Sequence, residues 1–181
     1  MIIVLFGAPG VGKGTQAVLL AERKNIPHLS TGEALRQAIA AKTELGIIAK
    51  QVVESGQLVS DEIVTGIVQE ALSKPEYKNG CILDGFPRNQ NQAEALDSLL
   101  KSIQREIHCV INISVDNEEI VSRLLNRGRK DDAENVIRHR LEIYNEQTAP
   151  LLDYYTKSGK LMSVDGNADV EEVYRRIDAM L

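Results

Sequence analysis

The 181-residue chain has little cysteine, no long apolar run and no surplus of positive charge. Each shortage excludes something. Two cysteines, Cys81 and Cys109, are too few for a disulfide framework. Both sit in apolar runs and read as buried thiols on strands. Nothing resembles a four-cysteine zinc site. No apolar stretch approaches the roughly 20 residues of a membrane span. The Met1-Ile2-Ile3-Val4-Leu5-Phe6 opening lacks a basic segment and leads into glycines. A strand is therefore expected there, not a signal peptide, with a cytoplasmic protein as the default. Lys plus Arg total 21 against 26 Asp plus Glu, a net charge of −5. That balance argues against a general nucleic-acid binder. A small anionic ligand stays compatible, because it answers to local charge only.

What is present is ordinary globular composition, 43% hydrophobic and 26% charged, at a length suited to one domain. Short apolar runs alternate with longer helical stretches. Strands are expected at 2–6, 26–29, 81–84, 109–115 and 161–164. Helices are expected at 11–23, 32–41, 44–55, 61–73, 92–102, 117–126, 131–155 and 170–181. Near-continuously apolar strands separated by helices imply an α/β fold: a five-stranded parallel sheet, doubly wound, with helices on both faces. The stretch between the second and third strands holds three helices where one would suffice. An insertion of this kind is either extra packing or a binding lobe.

The first strand runs into Gly7-Ala8-Pro9-Gly10-Val11-Gly12-Lys13-Gly14-Thr15. Glycines at this spacing let backbone N–H groups point inward around phosphate oxygens, and the following helix adds its positive end. Lys13 supplies a full charge. Gly14 departs from the general pattern, which has Ser or Thr there. Asp84 closes the third strand, where a carboxylate beside a phosphate loop suits hydrated magnesium; a helix cap is its plainer reading. Five of eleven arginines fall at Arg123, Arg127, Arg129, Arg138 and Arg140. They read either as a salt-bridged surface or as cations around a transferring phosphoryl group. The triphosphate site favours function for Arg127, Arg129 and Arg140. Asp131 and Asp132 suit the start of the long helix. Arg36 and Arg88 read either as ordinary surface arginines or as a pair that clamps a second anion across one cleft. His28, His108 and His139 show no metal-ligand or triad spacing and read as structural.

Five ordered segments carry a closer resemblance. They are Gly7 to Gln16, Leu29-Ser30-Thr31-Gly32 with Arg36, Gly56-Gln57-Leu58-Val59, Leu83-Asp84-Gly85-Phe86-Pro87-Arg88 with Gln92, and Arg129-Lys130-Asp131-Asp132 with Arg140. Together they resemble the adenylate kinases over nearly the whole chain, and Gly14 matches that family's loop. The resemblance implies a nucleotide-kinase fold in one domain, with a core at 1–29, 60–126 and 133–181, a monophosphate-binding lobe at 30–59 and a short lid at about 127–132. It implies that Gly10, Val11, Gly12, Lys13, Gly14, Thr15, Arg127 and Ala168 bind ATP. It implies that Thr31, Arg36, Gln57, Leu58, Val59, Gly85, Phe86, Pro87, Arg88, Gln92, Arg129 and Arg140 bind AMP. Lys13, Arg88, Arg129 and Arg140 then surround the transferring group. Mg²⁺ enters with ATP, held through water near Asp84, and the short lid carries no zinc. The implied reaction is MgATP plus AMP giving two ADP, in adenine nucleotide homeostasis, by a monomer with neither nucleic acid nor membrane as partner.

Three rivals remain. The UMP/CMP kinases share the loop and the Asp84-to-Gln90 run, but resemble Ala where Thr31 stands and Asn where Gln92 stands. A GTPase switch normally carries an Asn-Lys-x-Asp motif, absent here. A non-catalytic nucleotide-binding module would be expected to lose Lys13, Arg88 or Arg129.

Overall fold

The computed structural model describes residues 1–129 and 132–181. Its five strands are β1 (Ile2–Phe6), β2 (His28–Ser30), β3 (Cys81–Asp84), β4 (Cys109–Ser114) and β5 (Leu161–Asp165). They form one parallel sheet in the order β2-β3-β1-β4-β5. Ile2, Val4 and Phe6 enter the core on one face with Leu83, Leu96 and Tyr155. Ile3 and Leu5 enter the other with Leu20, Ile111 and Ile177. Side chains alternate across a strand, so a strand buried on both faces reads as a continuous apolar run. Cys81 and Cys109 are buried free thiols on β3 and β4, each pushed up by burial, to about 12 and about 11.

The helices are α1 (Lys13–Lys24), α2 (Thr31–Ala40), α3 (Glu44–Glu54), α4 (Asp61–Leu72), α5 (Gln90–Ser102), α6 (Asn117–Arg127), α7 (Glu134–Ile143), α8 (Leu151–Lys157) and α9 (Val170–Asp178). Helices α2, α3 and α4 fill the long insertion between β2 and β3. Chain connections leave β1 and β3 in opposite directions. Such a reversal opens a crevice at the C-terminal ends of the strands, where Leu5 and Asp84 are register partners.

One expectation is corrected. The single helix at 131–155 is instead α7, a π-helical segment at Tyr144–Thr148, a turn, and α8. Pro150 lacks the N–H that would continue the ladder. The Ala149 N–H reaches back five residues to the Tyr144 carbonyl, 2.8 Å away, which widens the turn. The helix start is also corrected: Ala133 stands at the α7 N-cap, and Asp132 does other work. Lys130 and Asp131, which belong to the expected lid and helix start, lie outside the described residues.

Candidate active site

The crevice is a cleft of about 1150 Å³, and the phosphate loop forms its floor. Gly10, Val11, Gly12, Lys13, Gly14 and Thr15 all line it. Gly10 has φ +93°, and a Cβ there would sit 2.8 Å from Leu124 Cγ. Only glycine combines that backbone with that closeness. Lys13 turns back over the loop, its Nζ donating to the Gly7 and Ala8 carbonyls at 2.7 and 2.9 Å. Burial pulls its pKa down to about 8, and Arg88, Arg140 and Arg127 push the same way against Asp84.

Asp84 lies at the end of β3, with Oδ2 3.5 Å from Ser30 Oγ and 3.7 Å from His28 Nε2. Burial alone would raise this carboxyl. The neighbouring His28 ring and the charges of Lys13 and Arg88 outweigh it, and the pKa falls below the ordinary value. A Cβ on Gly14 would rest 3.7 Å from Asp84 Oδ2, so the loop and the carboxylate are neighbours. Among the described residues no cluster of three or more His, Cys, Asp or Glu forms a metal cage. One ionised carboxylate is a donor set suited to a hydrated Mg²⁺ held mainly by phosphates.

The cations expected at the site converge. Lys13, Arg36, Arg88, Arg127, Arg129 and Arg140 all line the cleft, and so does Arg123. Arg138 does not; it pairs with Glu134 at 2.8 Å on the exposed side of α7. Arg88 is fixed by its Nε–H to the Gly85 carbonyl at 2.7 Å, and by the Thr148 hydroxyl donating to its own carbonyl at 2.6 Å. Burial lowers the Arg88 pKa, yet a guanidinium keeps its charge at neutral pH.

A smaller recess adjoins the cleft, lined by Thr31, Gln57, Leu58, Val59, Gly85 and Gln92. Arg36, Arg88 and Arg140 line both spaces. The Thr31 hydroxyl donates to the Gly85 carbonyl at 3.0 Å, leaving its lone pairs free to accept. Gln92 is buried, with Nε2 on Asp61 Oδ1 at 2.8 Å and Oε1 on the Arg88 N–H at 2.8 Å. Pro87 and Ala168 line the cleft. Phe86 differs: its side chain is in the core, lining neither space, which leaves only its backbone for a ligand.

Two residues at the site went unread in the sequence, and a third, Asp132, was read only as a helix start. Asp61 anchors Gln92 and Asn89, and Thr148 holds Arg88. Asp132 is buried among the arginines, 2.7 Å from Arg127 and 3.5 Å from Arg140. Asp132 lay within a quoted segment and Pro150 marked a helix break near Thr148; Asp61 had no local signal.

Comparison with known proteins follows the same lines. A family model described as adenylate kinase matches residues 5–160. The chain is 54% identical over 179 residues to adenylate kinase 1 of Synechocystis sp., covering 99% of this chain and 96% of that protein. It is 49% identical to adenylate kinase 1 of Nostoc sp., covering 99% and 97%. It is 42% identical to the adenylate kinase of Archaeoglobus fulgidus, covering 100% and 98%.

Proposed function

Since this chain belongs to the adenylate kinase family, we infer that it is a phosphotransferase moving the terminal phosphoryl group of ATP to AMP, giving two ADP. The observation that carries this reading is the sharing of Arg36, Arg88 and Arg140 between the phosphate-loop cleft and the Thr31–Gln92 recess. One set of guanidinium groups therefore faces two anionic ligands. The UMP/CMP alternative is not favoured.

In this reading Gly10 to Thr15 cradle the ATP phosphates, with Arg127 beside them and Ala168 toward the base. Thr31, Arg36, Gln57 to Val59, Gly85 to Arg88 and Gln92 hold AMP. The acceptor phosphate is already ionised, so no general base is required. Its oxygen forms the new bond to the γ-phosphorus as the bond to the β,γ-bridging oxygen breaks. The electron pair stays on the departing ADP, and no residue is phosphorylated. Lys13, Arg88, Arg129 and Arg140 surround the three equatorial oxygens, so the protein contributes alignment and charge. Adenylate kinases generally use ATP with Mg²⁺. Asp84 would hold its water shell, and the bound ion would offset phosphate charge.

Selectivity follows from the recess. Thr31 is left as an acceptor, which suits the exocyclic amine of adenine. Gln92 keeps one N–H and one lone pair for a purine edge. The lobe at 30–59 and the short lid at 127–132 close over the substrates and keep water out. Adenylate kinase lid motion is itself a standard example of such closure. The net charge of −5 supports a protein without a nucleic-acid partner. No helix of the described residues is long and apolar enough to cross a membrane. A cytoplasmic monomer maintaining adenine nucleotide levels completes the proposal.

The test is stoichiometric. With MgATP and AMP, two ADP appear for each ATP lost, and no inorganic phosphate. ATP binding without turnover, or release of phosphate in place of a second ADP, sinks the reading.

A further inference from the structure

We propose that Gln16 is a positioning residue that fixes the base-side wall of the ATP site relative to the phosphate loop. The proposal rests on the ATP-binding reading above.

Gln16 is the fourth residue of α1, immediately after Thr15. Its backbone N–H closes the loop onto the Gly12 carbonyl at 3.0 Å. Its side chain is 3% exposed and runs the other way. Nε2 donates to the Val170 carbonyl at 2.9 Å, spanning 154 residues of sequence. Val170 opens α9, and Ala168, Asp169 and Val170 line the same cleft as the loop. One side chain thus ties the segment that grips phosphates to the segment that walls the far side.

The second observation is what this tie costs. Among the described residues Gln16 Oε1 is buried without a protein hydrogen-bond partner. A buried orphan amide oxygen is destabilising, and an apolar side chain of the same shape would avoid it. Apolar packing alone therefore does not account for an amide at this position. What the amide supplies is a donor, which among the described residues meets the Val170 carbonyl. Packing does not require it; a fixed distance between loop and wall does.

That distance matters only to a ligand that spans it. ATP does so, with phosphates on the loop and base at the wall. Inorganic tripolyphosphate reaches the loop alone, and AMP uses the Thr31–Gln92 recess. The experiment compares wild type with Gln16→Leu and Gln16→Met. Calorimetry gives affinities for ATP and for tripolyphosphate, and ADP formation gives KM for ATP and AMP. Loss of one neutral hydrogen bond predicts ATP binding weaker by about five- to ten-fold. KM for ATP rises alongside, while KM for AMP and tripolyphosphate affinity hold within about two-fold. If the leucine variant does not fold, the methionine variant, which keeps the length and removes the donor without adding charge, carries the comparison. ATP and tripolyphosphate weakening together would make Gln16 a support of the loop alone and overturn the proposal. So would unchanged ATP affinity. A wild type that binds ATP but makes no ADP would defeat the kinase reading and leave the calorimetric comparison intact.

Discussion

Asp132 grips Arg127 through both carboxylate oxygens, at 2.7 and 2.9 Å. Its Oδ2 also accepts the Arg129 backbone N–H at 3.0 Å, and Arg140 Nη1 lies 3.5 Å from Oδ1. A buried carboxylate thus gathers three of the arginines proposed to meet phosphate. Burial would raise its pKa; the Arg127 and Arg129 hydrogen bonds and the charges of Arg127 and Arg140 outweigh that and lower it. The carboxylate fixes the Arg127 guanidinium and the Arg129 backbone in place.

Asp132→Asn removes that hold while keeping the shape. Charge-assisted hydrogen bonds contribute about 1.5–3 kcal/mol. We expect kcat/KM to fall by about ten- to a hundred-fold. Steady-state ADP formation checks this, and unchanged kinetics would show that the arginines position themselves. Because the folded carboxyl pKa is depressed, this contribution is present at neutral pH. It is lost as pH falls through the depressed value.

Lys13 gives the opposite pH sign. Its pKa sits at about 8, lowered from 10.5 by burial first and by neighbouring arginines next. Free enzyme loses this charge as pH rises through about 8, so kcat/KM for ATP declines there. Bound phosphates restore the charge, so kcat at saturating ATP holds to higher pH. Parallel pH profiles of the two quantities test this; coincident profiles contradict it. For stability the sign reverses, because the folded state prefers neutral lysine. This group favours folding as pH rises from about 8 to 10.5.

Arg88 is fixed by the Gly85 carbonyl and, through its backbone, by Thr148 and Gln92. Arg88→Ala should lower kcat by about a hundred- to a thousand-fold, the scale for deleting one preorganised transition-state contact. Arg88→Lys should recover little, since the Nε–H that meets Gly85 is lost. ADP formation at the wild-type rate in the alanine variant would remove Arg88 from the proposed machinery.

Gly56, just after α3 in the insertion, lies against Val136 and Arg140 of α7. Its φ is +80°, and a Cβ there would sit 2.8 Å from Arg140 Cγ. Gly56→Ala should cost about 1–2 kcal/mol of backbone strain and displace the Arg140 stem. We expect lower kcat with ATP affinity retained. Thermal melting and kinetics, measured together, separate strain from displacement.

These cases show where the sequence was legible. Gly10 and Lys13 announced the loop because phosphate binding demands glycine and lysine at fixed local spacing. The continuous apolar runs announced the strands, because both faces of a parallel sheet are buried. Asp132 was read as a helix start, since an aspartate before a helix ordinarily is one. Only the fold brings Arg127 and Arg140 around it. Ile137, Leu141, Tyr144, Leu151 and Tyr155 recur at near-helical spacing, so the π-helical widening that carries Thr148 to Arg88 was hidden. The Gln16 tie to Val170 spans 154 residues and left no local mark.

The most direct measurement is ADP formation from MgATP with AMP, UMP, CMP or GMP as acceptor, compared by kcat/KM. With Thr31 as acceptor and Gln92 facing the recess, AMP should lead the others by about a hundred-fold or more. UMP or CMP matching or exceeding AMP would contradict the account.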